Sequence, residues 1–108
     1  MQENCIFCKI IAKQVPATVI LETPEVLVIK DINPKAPVHY LIIPKKHIND
    51  LNSLQSEESN LIANCLLSCK ELSKSGAFRL ISNNGKESGQ TVFHVHFHFL
   101  SGKLMHDF

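Results

Sequence analysis

Apolar and polar positions alternate along the chain in a few distinct rhythms, and each rhythm predicts an element. Near the start, Ile6, Phe7, Ile10 and Ile11 fit one or two helical turns before Pro16 stops propagation. Val19 to Leu21 and Val26 to Ile29 are rich in β-branched residues and flank Thr23-Pro24-Glu25, so they predict a hairpin. Asn33-Pro34 and Ala36-Pro37 predict a loop, and Val38 to Ile43 a strand that Pro44 terminates. From Glu57 to about Ser73, residues Leu61, Ile62, Cys65, Leu66, Cys69 and Leu72 recur at three- and four-residue steps, which predicts a long helix with one stripe on a core. Ser56 reads as its N-cap, Glu57 and Glu58 suit its positive end, and Lys70, Lys74 and Gly76 suit the other. Arg79 to Ser82 predicts a strand, Asn83-Asn84-Gly85 a turn, Lys86 to Gln90 a loop, and Thr91 to Leu100 a final strand. The sum is one α+β domain over 1–108 with a mostly antiparallel sheet.

Composition narrows the class. The chain has 108 residues, 44% hydrophobic and 19% charged, with no low-complexity run, which suits a folded domain and excludes a disordered tail. Eleven basic against ten acidic residues give a formal charge of +1, too little to drive binding of a nucleic-acid polymer. No apolar run reaches the roughly eighteen residues that span a bilayer, so no membrane role is expected. Met1 to Asn4 resemble no signal peptide, and the expected location is the cytoplasm.

Six histidines are many for this length, and His94, His96 and His98 alternate with Val95, Phe97 and Phe99. In a strand, alternate side chains share a face, so the apolar set would meet the core while the imidazoles stand in a row roughly 6 to 7 Å apart. Such a row can be a solvated polar face, a metal site, or an apparatus for attack on phosphorus by a neutral ring nitrogen. Ser88-Gly89-Gln90-Thr91, directly before the row, offers backbone N–H groups and hydroxyls to an anion, with Asn83 close by in sequence. Beside three histidines, that loop favours phosphate chemistry over a buried metal.

His94-Val95-His96-Phe97-His98-Phe99-Leu100 resembles the signature of the histidine triad (HIT) family. Cys5-Ile6-Phe7-Cys8-Lys9-Ile10-Ile11, Asp31-Ile32-Asn33-Pro34, His39 through Ile43-Pro44-Lys45-Lys46-His47, Asn83 and Gly89-Gln90-Thr91 are similar, in order and spacing, to the Hint branch of nucleotide-binding proteins. The resemblance covers nearly the whole chain. It implies a HIT-like fold, a five-stranded mostly antiparallel sheet with one long helix and a short N-terminal one. It further implies a homodimer, with the long helix and a sheet edge buried between subunits.

The activity it implies is hydrolysis of purine nucleoside phosphoramidates at the α-phosphate through a covalent nucleotidyl-histidine intermediate; the alternatives are dinucleoside polyphosphate hydrolysis, or a nucleotide-binding, zinc-stabilised interaction module. By the resemblance, His96 would be the nucleophile, with His98 and His39 on phosphate oxygens. Thr91, where the family usually has Ser, would place its hydroxyl near the leaving group. Asn83, Gly89, Gln90 and the Val92 backbone would line the phosphate site. Asp31 would take the ribose hydroxyls, although alone it reads as a turn aspartate before Asn33-Pro34. Phe7, Ile10, Val15, Ile29 and Ile32 would form the slot for the base. Hint proteins commonly carry a Trp near the C-terminus; Met105-His106-Asp107-Phe108 hold none, and Phe108 would fill part of that space.

Cys5 and Cys8, three apart, can supply two thiolates to one zinc. The resemblance supplies His47 and His94 as the other two ligands, leaving His96 and His98 for phosphate. Cys65 and Cys69 lie on the apolar stripe of the long helix and read as buried small hydrophobes. Lys45-Lys46 reads as a solvated strand end.

Overall fold

The structure, a computed structural model, describes residues 4–106; the expectation for Phe108 falls outside them. Five strands form one antiparallel sheet: β1 (Val19–Glu22), β2 (Val26–Lys30), β3 (Val38–Pro44), β4 (Arg79–Ile81) and β5 (Phe97–Ser101), in the order β1-β2-β3-β5-β4. Helix α1 (Ile6–Ile11) and helix α2 (Ser59–Leu72) complete the frame.

β1 and β2 make the expected hairpin. Thr23 closes it, with its Oγ1 accepting from Val26 N at 3.0 Å and its N–H donating to Val26 O at 2.8 Å. Val26 to Ile29 are all buried, because a central strand with a layer on each face has no solvated side. Val26, Val28, Ile42, Val95, Phe97 and Phe99 join Cys65 and Cys69 of α2 in one cluster, while Leu27, Ile29, Leu41 and Ile43 join Phe7, Cys5 and Cys8 around α1 in another. The sheet therefore separates two cores.

Three local expectations are corrected. The helix starts later than its periodicity suggests: Ser56–Glu58 form a 3-10 turn before α2, and Ser56 is not its cap. The Glu58 carboxylate caps backward instead, accepting from Gln55 N at 2.8 Å. Leu66 leaves the core stripe; it is 45% exposed, beside Leu67 at 57%, while Ser68 turns inward and donates to Cys65 O at 2.6 Å. Lys45 and Lys46 are tethers, Lys45 to Glu22 at 2.8 Å and Lys46 to Glu58.

The largest correction concerns the last strand, which begins at Phe97 rather than Thr91. β3 and β5 pair from Val38↔Ser101 to Ile42↔Phe97 and stop. Pro44 has no N–H with which to prolong the ladder. Its carbonyl accepts from the His94 ring at 2.7 Å, and Val95 N donates to Ile48 O at 2.7 Å. Only His98 of the triad stands in a strand. The alternation survives even so: Val95, Phe97 and Phe99 all enter the α2-side core.

Candidate active site

β3 and β5 bring His39 and His98 to the α1 side of the sheet, as diagonal neighbours in the pairs His39↔Leu100 and Leu41↔His98. His39 Nε2 lies 2.9 Å from His98 Nδ1. Lys35 N donates to His39 Nδ1 at 3.0 Å, so that nitrogen is an acceptor and the neutral ring carries its proton on Nε2. His98 Nδ1 accepts that proton's hydrogen bond, which leaves the His98 proton on Nε2. Asp31 completes the group, with Oδ2 3.4 Å from His39 Nε2 and 4.0 Å from His98 Nδ1. Its Oδ1 accepts from Asn33 N at 2.7 Å. Asp31 therefore makes the expected turn through Oδ1 while Oδ2 faces the two imidazoles.

His96 stands next in line, its ring centroid 5.3 Å from that of His98. Its Nδ1 lies 2.8 Å from the main-chain oxygen of His94. A carbonyl only accepts, so His96 Nδ1 carries the hydrogen and Nε2 keeps a free lone pair. Burial pushes the His96 imidazole below its ordinary value against the pull of the His94 carbonyl and Asp31; burial does the same to His98, helped by His96 and His39. Both shifts favour the neutral ring, the form in which imidazole attacks.

An open cavity of about 730 Å³ adjoins the Asp31–His39–His98 end of this row, next to His96, which does not itself line it; its lining is Asp31, Asn33, Lys35, His39, Ile81, Asn83, Thr91, His98 and Leu100. That volume suits a nucleotide-sized ligand. Asn83 and Thr91 thus share this cavity with His39 and His98. Gly89 turns the loop into it with φ 97°, a left-handed conformation that favours glycine; a Cβ there would meet only Asn83 Cγ at 3.9 Å, so backbone angle rather than space sets the requirement.

Gln90 is a correction. It is buried, its Oε1 accepts from Gly85 N at 2.7 Å, and its Nε2 donates to Asn49 O at 2.8 Å and Val92 O at 3.1 Å. Its own N–H donates to Gly85 O at 3.1 Å. With no donor left for a phosphate, Gln90 is the loop's internal brace. Phe7 and Ile29 are likewise core residues, Ile10 and Val15 are half-buried and Ile32 is 94% exposed, and none of these five residues expected to form the base slot lines the cavity.

The first triad histidine faces away from this chemistry. His94 is fully buried and its Nε2 donates to Pro44 O, which leaves Nδ1 aimed at the thiols, 3.4 Å from Cys5 Sγ and 3.6 Å from Cys8 Sγ. His47 Nε2 donates to Asn49 Oδ1 at 2.7 Å, leaving its Nδ1 3.2 Å from Cys8 Sγ. All four ligand atoms lie within 4.8 Å of one another. Tetrahedral zinc with ordinary Zn–S and Zn–N bonds requires ligand edges of roughly 3.3 to 3.8 Å, a range that the three thiol–imidazole contacts of 3.2 to 3.6 Å already approach. Burial holds the Cys5 thiol above its ordinary value and pushes His94 down to about 4, so the ring is neutral as a ligand must be. Asn49 and the Pro44 carbonyl, which fix these tautomers, left no signal in the sequence.

A family model described as scavenger mRNA decapping enzyme C-term binding matches residues 4–108. The chain is 45% identical over 107 residues to an uncharacterized HIT-like protein of Synechocystis sp., covering 95% of this chain and 94% of that one. The chain belongs to the histidine triad family. Among solved structures, this HIT protein is similar to a HIT family hydrolase from Legionella pneumophila, at 42% identity and TM-score 0.91 over 95% of this chain and 96% of that one. It is also similar to a zinc-bound histidine triad family protein from Mycobacterium smegmatis, at 30% identity and TM-score 0.82 over 93% and 76%. The described helices include none long and apolar enough to cross a membrane.

Proposed function

We propose that this HIT protein is a Hint-type nucleotidyl hydrolase that cleaves purine nucleoside phosphoramidates through a covalent nucleotidyl-His96 intermediate. The observation that carries this reading is the tautomer of His96: Nδ1–H is spent on the His94 carbonyl at 2.8 Å, so the lone pair on Nε2 is the ring's reactive end. Nε2 attacks the α-phosphorus, the bond from phosphorus to the leaving amine breaks, and the amine departs with a proton supplied by solvent and relayed by His98, which His39 holds in place. The resulting imidazolium is stabilised by the His94 carbonyl. Water then cleaves the histidine–phosphorus bond, releasing the nucleoside monophosphate and returning the proton.

Asn83, Thr91 and the Gly89 and Val92 backbone serve the phosphate, and Asp31 Oδ2 the ribose. The exposed Ile32, with Ile10 and Val15, offers apolar surface to the base. One zinc at Cys5, Cys8, His47 and His94 is the companion proposal, supported by the ligand edges. A closed four-ligand zinc cross-links the fold and takes no part in the reaction. Leu66 and Leu67 on α2 support a homodimer that covers that face. Four unpaired cysteines suit a reducing compartment such as the cytoplasm.

The experiment is single turnover of adenosine 5'-phosphoramidate with mass detection of the protein. An adenylyl adduct that disappears in His96→Ala is the expected result. Undiminished turnover in that variant removes His96 as nucleophile.

A further inference from the structure

We infer that zinc held by Cys5, Cys8, His47 and His94 fixes the tautomer and aim of His96, so that the metal centre and the nucleophile form one mechanical unit. The inference rests on the zinc reading above and goes beyond it, from cross-linking to positioning.

Two contacts join the centre to His96. The first is the His94 main chain. His94 is pinned by its ring at both ends, with Nδ1 against the thiols and Nε2–H on Pro44 O at 2.7 Å, and its own carbonyl accepts the His96 Nδ1–H at 2.8 Å. With the ring held at both ends, a shift of the His94 peptide that carries that carbonyl would break one of those ring contacts. The second contact is Phe7, between the two cysteines on the first turn of α1. Its ring stands edge-on to His96 with centroids 5.0 Å apart, and to His94 at 5.8 Å. Holding Cys5 and Cys8 therefore also holds the wall against which His96 rests.

The ligand set alone is a poor clamp without an ion. Its thiol-to-imidazole contacts of 3.2 to 3.6 Å are weak sulfur hydrogen bonds. Four metal bonds replace them with fixed lengths and angles. The Cys8 N–H donates to Cys5 Sγ at 3.3 Å, the kind of main-chain support that orients a ligating thiolate. Phe7 is thus a positioning residue, buried behind the nucleophile rather than presented to a base.

The test begins with elemental analysis and zinc titration of the full chain; a protein that takes up no zinc overturns both this inference and the metal reading. With one zinc bound, nitrogen NMR of the ring of His96 at fixed neutral pH, before and after chelation, reads the tautomer directly. A single Nδ1–H form in the loaded protein and a mixture after zinc removal is expected. Identical His96 signals in both states, with zinc loss confirmed, overturn the inference while leaving the metal site standing. Because the stripped chain can unfold, Phe7→Leu supplies a second arm in zinc-loaded protein. It should lower kcat by about 10-fold or more with KM and purine preference unchanged, since a small misplacement of a reacting group is costly. A raised KM and altered base preference at unchanged kcat would assign Phe7 to the base slot and sink the positioning role.

Discussion

His39 and His98, 59 residues apart in sequence, share one 2.9 Å hydrogen bond across β3 and β5, and its direction is fixed by a main-chain N–H of Lys35 behind it. A neutral His39 with its proton on Nε2 must donate to His98, so the pair forms a short proton chain with a defined sense. Replacing His39 with Ala removes the donor and lets the His98 ring choose either tautomer. We expect kcat to fall by about 10²-fold, the lower range for a lost proton-transfer partner, with little change in KM. Steady-state kinetics on the phosphoramidate check it, and a variant within 2-fold or so of the parent would show that His98 works alone.

Gln90 lends itself to a stability test. Its amide satisfies Gly85 N, Asn49 O and Val92 O in a buried loop, so Gln90→Leu leaves three polar groups without their partner. The expected loss is about 1–3 kcal/mol in denaturant unfolding, read as a shift of midpoint at constant slope. An effect of a few tenths would mean that water replaces the amide and that the brace is dispensable.

The acid limb of stability has a named contributor. Lys45 first and Lys13 second hold the Glu22 carboxyl down to about 2. The folded value is below the ordinary one near 4.5, so its stabilising effect is complete above about pH 5 and is lost as pH falls toward 2. Glu22→Gln should therefore be less stable than the parent at neutral pH, with the two curves converging in acid. Because the site is exposed, the gap should also shrink with salt. Parallel curves across the whole range would contradict the assignment.

For the proposed dimer, Leu67→Glu places a charge on the exposed apolar face of α2 while leaving the core side untouched. Light scattering should show the mass fall toward that of one chain, with the circular dichroism of a folded protein. A dimer that survives Leu67→Glu and Leu66→Glu together would move the interface elsewhere.

Much of the frame was legible in the sequence, for reasons visible residue by residue. Thr23-Pro24-Glu25 between two β-branched runs made the hairpin the simplest reading, which the β1–β2 pairing bears out, and the α2 stripe was right at Leu61, Ile62, Cys65, Cys69 and Leu72. It failed at Leu66, because a three-four rhythm fixes a stripe's centre better than its margin. The alternation of residues 94–99 assigned their faces correctly and their hydrogen bonding wrongly, since side-chain direction persists where a ladder has ended. That end was set by Pro44, fifty residues earlier, and no local pattern contains it. Resemblance alone joined Cys5 and Cys8 to His47 and His94; spacing within the motif named only the first two. Gln90 was misassigned because a polar residue in a glycine-rich loop looks the same whether it faces a ligand or ties its own backbone.

Phe97 and Phe99 point to one side of β5 while His98 points to the other, and this gives the molecule a division of labour. The proposed reaction needs the imidazoles on the α1 side held in a fixed relation, whereas the α2 layer needs only to keep those two rings seated. Natural variation that reshapes the outer surface of α2 for a new subunit contact or partner can therefore accumulate without retuning the reaction on the opposite side. Drift in the few residues around α1 has no such freedom.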